Sequence, residues 1–224
     1  MADWATISSL ATAGGTLVLA IATFSSVRSA NRSARIAERA FQVGLRPVLF
    51  NSNLDDPVQK IWWGDLHGAS LGGGRAVVDD VDGVVYLAIS LRNGGSGMGV
   101  IWGWRIAPAP VTSPTTPTSA EMRDTLFVRP EQEEFRAQGR DLYVPAGGVS
   151  FWQAAMRAAD DPDRDPVRQA IGSGRPLAIS LLYGDNEGGQ RTISLFIIRP
   201  ASEDRSLWLA SVGRHWNLDR VDPR

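Results

Sequence analysis

Residues 79–99 read DDVDGVVYLAISLRNGGSGMG, and the fold class turns on this stretch. Asp82-Gly83 is a hairpin signal, because both residue types tolerate the positive φ that a tight two-residue turn demands. The run that follows, VVYLAISL at 84–91, lacks the polar-apolar alternation of a strand with one wet face. It is therefore predicted to be a central strand covered on both sides. Outward from it, short apolar runs separated by turn residues continue in both directions, the pattern of an all-β domain. Strands are expected at 48–53, 60–63, 75–79, 84–92, 100–107, 125–128, 149–156, 177–183, 190–199 and 207–212. RTISLFIIR, at 191–199, mixes polar and apolar positions as a half-exposed strand would. The expected fold is mainly β, an immunoglobulin-like or related antiparallel β-sandwich preceded by one long N-terminal helix.

Finer expectations follow from local chemistry. Trp102 and Trp104, two apart in a strand, share a face and belong to the core, whereas adjacent Trp62 and Trp63 point oppositely and leave one exposed. PAPVTSPTTPTSA at 108–120 is expected to be a mobile loop or extended excursion. Short helices are expected at 166–171, capped by Asp165, and at 131–138. A second hairpin signal lies at 186–189, in YGDNEGGQR.

Composition narrows the function. The chain has 224 residues, 43% of them hydrophobic, and a net charge of -1, so it can bury a core and has no general affinity for nucleic acid. Cysteine is absent, which excludes disulfides, thiolate metal sites and cysteine nucleophiles. Two histidines and a single lysine, Lys60, leave few groups for metal binding, general-base work or phosphate capture.

The N-terminal region is of another kind. Residues 4–27 form 24 consecutive uncharged positions, and WATISSLATAGGTLVLAIATF at 4–24 spans roughly 31 Å as a helix, against a hydrocarbon core of about 30 Å. Six of those 21 residues are Ser or Thr, so insertion rests on Ile7, Leu10, Leu17, Val18, Leu19, Ile21 and Phe24. Trp4 falls where an interfacial aromatic belongs, and a surface-lying or buried amphipathic helix is the competing reading. A cleaved secretory signal requires a basic start, which Met-Ala-Asp lacks. Beyond the span, Arg28, Arg32, Arg35, Arg39 and Arg46 against Glu38 give +4 over 28–46, and residues 47–224 carry -4. Basic flanks stay inside, so the N-terminus is expected outside and the C-terminal domain in the cytoplasm, at the cell inner membrane.

The division expected is thus a transmembrane helix at 1–27, a basic juxtamembrane helix at 28–46 and a β-sandwich domain at 47–224. Small and apolar residues at Val27, Ala30, Ala34, Ala37, Phe41 and Gly44 repeat at helical spacing, and the seam runs back through Thr23, Ala20, Thr16, Ala13 and Ser9. Such a seam, with Ala11 and Gly15 as a close-approach pair, is a candidate homodimer contact. Arg28, Arg32, Arg35 and Arg39 occupy one face and are candidate contacts for anionic lipid, or a solvated topology determinant. Arg46-Pro47 ends the helix, helped by Gly44.

No motif specifies a reaction. The glycine clusters at 72–74 and 94–99 lead into strands, whereas a phosphate loop opens a helix, so both are read as tight turns. Asp161, Asp163 and Asp165 match the first ligands of a calcium loop, but Pro166 and Gly172 stand at its glycine and glutamate positions. His67 and His215 lack metal-binding spacing, and no nucleophile elbow is present. No cofactor is expected. Two clusters rich in directional groups, Tyr183, Asp185 and Glu187 with Arg214, His215 and Trp216, are the candidate partner-binding residues, against the ordinary reading in which the tryptophan anchors the tail back onto the sandwich.

The helix ending in LRPVL, the strand running into LRNGGSG, and the blocks LLYGDNEGGQRTIS and RHWNLDR together resemble a group of uncharacterised bacterial single-pass membrane proteins, over most of the chain. The resemblance implies a bacterial membrane protein and supplies no catalytic residues. The turn in LRNGGSG also looks like that of many immunoglobulin-like sandwiches. The expectation is a cytoplasmic binding or scaffold module tethered to the bilayer, with a protein partner and no enzymatic activity. The alternatives are a tethered hydrolase-like enzyme using Asp185, Glu187 and a histidine, and an outward-facing domain.

Overall fold

The structure, a computed structural model, describes residues 3–109, 128–201 and 206–220. It separates into two units, Met1–Gly44 and Leu45–Arg224.

The first unit is one uninterrupted helix, α1 (Trp4–Gly44), of 41 residues. No proline interrupts it. The Thr12 and Thr16 hydroxyls donate to the carbonyls of Ser8 (2.9 Å) and Thr12 (2.8 Å), which satisfies them within the helix. Leu10, Leu17, Leu19, Ile21 and Phe24 all stand exposed. Ser8–Glu38 contains a stretch long and apolar enough to cross a membrane.

The second unit is mainly β, as expected. Among the described residues its strands are β1 (Leu49–Asn51), β2 (Gln59–Trp62), β3 (Gly68–Leu71), β4 (Arg75–Val81), β5 (Val84–Asn93), β6 (Gly99–Pro108), β7 (Arg136–Val144), β8 (Val149–Met156), β9 (Leu177–Gly184), β10 (Thr192–Pro200) and β11 (Trp208–Asn217), and α2 (Arg164–Ser173) is an α-helix. All pairings are antiparallel. A curled sheet runs β1, β5, β4, β11, β10, β9, β6, β7, and β8 lies on the far edge of β5. Its corner is thin, because β4 and β11 pair only at Ala76–Trp208 and Arg75–Leu209. The curl wraps a shared core in the manner of a sandwich. Trp104 of β6 and Trp152 of β8 meet there edge to face at 5.6 Å, joining the two halves.

β5 is covered on both faces, for a visible reason. Val85, Leu87, Ile89 and Leu91 point into the main core, while Tyr86 and Ala88 lie in a second cluster beneath Ile61, Trp63 and Leu71. That cover is the β2–β3 hairpin, a separate two-stranded sheet. The turn before β5 is the expected one, with Asp82 at φ 51° and Gly83 at φ 81°.

Several expectations need correction. The 131–138 segment, rich in helix formers, makes only a 3-10 turn at Gln132–Glu134 and then enters β7, because pairing with β6 and the burial of Phe135 against Ile193 and Leu195 outweigh propensity. β3 went unrecognised because GASL carries a single large apolar residue. β10 is not half-exposed: Phe196 and Ile198 fill the main core while Ile193 and Leu195 lie under Trp216, Phe135 and Leu218. Trp102 and Trp104 do not share a face. A bulge between Ile101 and Gly103 shifts the alternation, so Trp104 is buried while Trp102 lies half-buried against Gly184. Trp62 and Trp63 do split as expected, the former 62% exposed and the latter buried. α2 has Asp163 at its N-cap position without a side-chain capping bond, and Asp165 lies in its first turn. Residues 110–120 of the proline-rich loop, and 125–127 of the strand expected at 125–128, lie outside the described residues.

Ile61 is fully buried although it sits outside the main core. Replacing it by Ala is expected to cost about 2–4 kcal/mol in denaturant unfolding, as at any core isoleucine. A cost below ~0.5 kcal/mol would mean that the hairpin is a peripheral flap.

Candidate functional site

The chain enters the β domain through a built clamp. Arg46 is 7% exposed, and its guanidinium donates to Thr192 Oγ1 (3.0 Å), Asn217 Oδ1 (3.0 Å) and the Asp219 carboxylate. It therefore joins residue 46 to the start of β10 and the end of β11. Beside it Asn93, fully buried, uses its whole carboxamide: Oδ1 accepts from the amides of Val48 (3.1 Å) and Gly95 (2.9 Å), and Nδ2 donates to the carbonyls of Gly97 (2.7 Å) and Val144 (3.1 Å). A Cβ on Gly95 or Gly97 would collide with the carbonyl oxygens of Arg46 or Leu45. The glycine cluster is thus a close-approach turn that cradles backbone.

The candidate partner-binding residues divide in two. Tyr183 is completely buried and Trp216 is 2% exposed, so neither can meet a partner directly. The Leu49 amide donates to Tyr183 Oη (3.1 Å), which bonds Ser194 Oγ (2.8 Å), which bonds His215 Nδ1 (2.6 Å). Burial pushes the Tyr183 phenol up to about 12. Ser194 is itself fully buried, so this chain of hydroxyls ties β1, β9, β10 and β11 together. Asp185 organises the β9–β10 turn, accepting from the amides of Glu187 (3.1 Å), Gly189 (2.8 Å) and Gln190 (3.2 Å). Glu187 is exposed on that turn, and Arg214 is half-buried against the Trp216 ring at 5.6 Å. His215 pairs with Ser194, level with Leu181, two strands and four residues from Asp185. Ladder spacings put the two roughly 15 Å apart. The Asp185, Glu187 and His215 grouping is therefore not assembled into one centre.

His67 belongs to a different cluster, at the β2–β3 turn. Its ring stacks on Tyr86 at 3.9 Å, and Nε2 lies 3.1 Å from Asp79 Oδ2. The Tyr86 hydroxyl donates to Asp65 (2.6 Å), and Arg157 donates to the same oxygen (3.0 Å). The Tyr86 bond foremost, with Arg157 behind it, holds the Asp65 carboxyl down at about 2, and the reciprocal effect raises the phenol. Asp161 and Asp163, read above against a calcium loop, are both bonded by Arg136. No group of three His, Asp or Glu converges for a metal among the described residues.

On α1, Arg28, Arg32 and Arg35 are exposed, whereas the Arg39 side chain lies outside the described residues. A groove of 400 Å³ lies between β7 and β8, lined by Trp62, Gln138, Arg140, Gln153 and Arg157 among others. Sequence reading gave one signal for it, the prospect of an exposed tryptophan at 62–63; Gln138 carried none because 131–138 reads as helix, and Gln153 is an ordinary polar position of the expected strand 149–156. Arg46 was counted with the membrane-flanking charges, and only three-dimensional pairing shows it as part of the domain.

No protein-family model matches the chain, and no curated protein matches it. A solved structure described as a protein from Archaeoglobus fulgidus is similar over 74% of this chain and 98% of its own, at 10% identity and a TM-score of 0.23, a likeness too low to inform fold or function.

Arg46→Ala is expected to cost about 2–3 kcal/mol in denaturant unfolding, below the ~3–5 kcal/mol of a fully buried pair because Asp219 remains a third exposed. Asp65 titrates lower folded than unfolded, so its contribution is complete above the ordinary 3.8 and is lost as pH falls through about 2. Asp65→Asn should remove that acid-side loss and return the Tyr86 phenol toward 10, read by ultraviolet absorbance titration.

Proposed function

We propose that this protein is a membrane-anchored binding module of the bacterial inner membrane. In this reading α1 crosses the bilayer with its N-terminus outside, and the β domain stands in the cytoplasm and engages a protein partner near the membrane. One observation carries it: α1 exposes its large apolar side chains over a length that matches a hydrocarbon core. The basic row supports the orientation. Arg46 is withdrawn into its pair with Asp219, but four arginines against Glu38 still leave +3 over 28–44, directly after the uncharged run. Arg28, Arg32 and Arg35 beside anionic headgroups add about 1 kcal/mol each. The resemblance of the sequence blocks to bacterial single-pass membrane proteins points the same way.

The expected outcome on fractionation is that the full chain sediments with membranes, resists salt extraction and is released by detergent. A reporter fused after Arg224 is expected to be active in the cytoplasm alone. A full chain recovered in the soluble fraction defeats the anchor, and a reporter active outside defeats the orientation.

A further inference from the structure

The β7–β8 seam is bridged by side chains where a ladder would otherwise run. Among the described residues, each of these strands has a ladder neighbour on one edge only, β6 for β7 and β5 for β8. Within β7 the register with β6 jumps: Ala137 pairs with Gly103 and Leu142 with Ile101, so residues 138–141 bulge opposite Trp102 alone and are not held in the β6 ladder. Side chains occupy the place of ladder bonds. Gln138 Nε2 donates to the Gln153 carbonyl (3.1 Å), Trp152 Nε1 donates to Gln138 Oε1 (3.2 Å), and Gln153 Nε2 donates to the Trp62 carbonyl (3.2 Å). Gln153 is 7% exposed, yet its Oε1 is buried without a partner. A backbone donor supplied beside it satisfies that oxygen after a small rotation of the carboxamide.

The groove's chemistry selects among strands. Its lining carries two arginines, Arg140 and Arg157, and no carboxylate, in a domain whose sequence totals -3 over residues 45–224. Arg157 is already paired with Asp65, so Arg140 supplies the uncompensated charge. Trp62, 62% exposed, offers an apolar platform at one end. Exposed strand edges bind extended peptides through main-chain hydrogen bonds, and side-chain pockets and charge give the specificity.

We infer that the β7–β8 groove receives an extended, acidic segment of a partner protein, added as a strand along residues 138–141 with an apolar side chain against Trp62. This rests on the reading of the chain as a binding module and names its docking surface.

The test uses the full chain in neutral detergent with two fluorescein-labelled octapeptides, one of alternating Glu and Val and one of alternating Lys and Val. Fluorescence anisotropy is expected to show the acidic peptide binding at least about tenfold more tightly. Arg140→Glu, on an exposed edge, should reverse that preference. Gly139→Pro, which removes a donor from the edge, should weaken the acidic peptide about tenfold with thermal unfolding unchanged. Hydrogen exchange should slow at 137–141 and 153–155 on binding. Equal binding of both peptides, indifference to Arg140→Glu, or protection elsewhere overturns the inference. Self-association of the full chain that protects the same amides without peptide overturns the peptide as occupant. A stoichiometric partner purified from native membranes that leaves these amides unprotected overturns the seam while the anchored module stands.

Discussion

Four hydrogen bonds from one buried carboxamide hold together three parts of the chain that are far apart in sequence. Asn93 takes the amide of Val48, the turn at Gly95 and Gly97, and the end of β7 at Val144. A buried amide of this kind is costly unless every donor and acceptor is matched, and here all are. The turn can wrap the incoming backbone so closely only because Gly95 and Gly97 have no Cβ. Arg46 adds the charged half of the same junction, crossing to β10 and β11. β1, only three residues long, is held by its ladder with β5, by this junction and by the Tyr183 hydroxyl beneath it.

The second organising constraint is that the domain has more than one apolar layer. β5 and β10 both bury side chains on two faces, and each needs an outer cover. The cover for β5 is the β2–β3 hairpin, whose turn carries the Trp63, His67, Tyr86 and Asp65 cluster. The cover for β10 comes from Trp216, Phe135 and Leu218. Residues that look like a recognition surface in sequence, Tyr183 and Trp216 above all, are thereby consumed as structure.

Legibility in the sequence followed the strength of the local signal. The long helix, its end before Arg46-Pro47, the Asp82-Gly83 turn and the two-sided burial of β5 are written in patterns a few residues wide, and they were readable. β7 was not, since 131–138 favours helix and only contact with β6 and the Arg136 pairing with Asp161 and Asp163 decides otherwise. Trp102 was misplaced by a bulge that no spacing rule reveals. The candidate site suffered most, because Arg, Tyr, His and Trp advertise binding and buried polar networks equally; burial alone separates them, and burial is a property of the whole fold.

The position of Arg46 has a mechanical corollary. It lies two residues beyond the last residue of a 41-residue helix. Tension applied along that helix is delivered first to a guanidinium fork that grips two neighbouring strands, and only afterwards to the short ladder of β1. The shortest described strand of the large sheet is thus shielded from load by a strain relief at its own root.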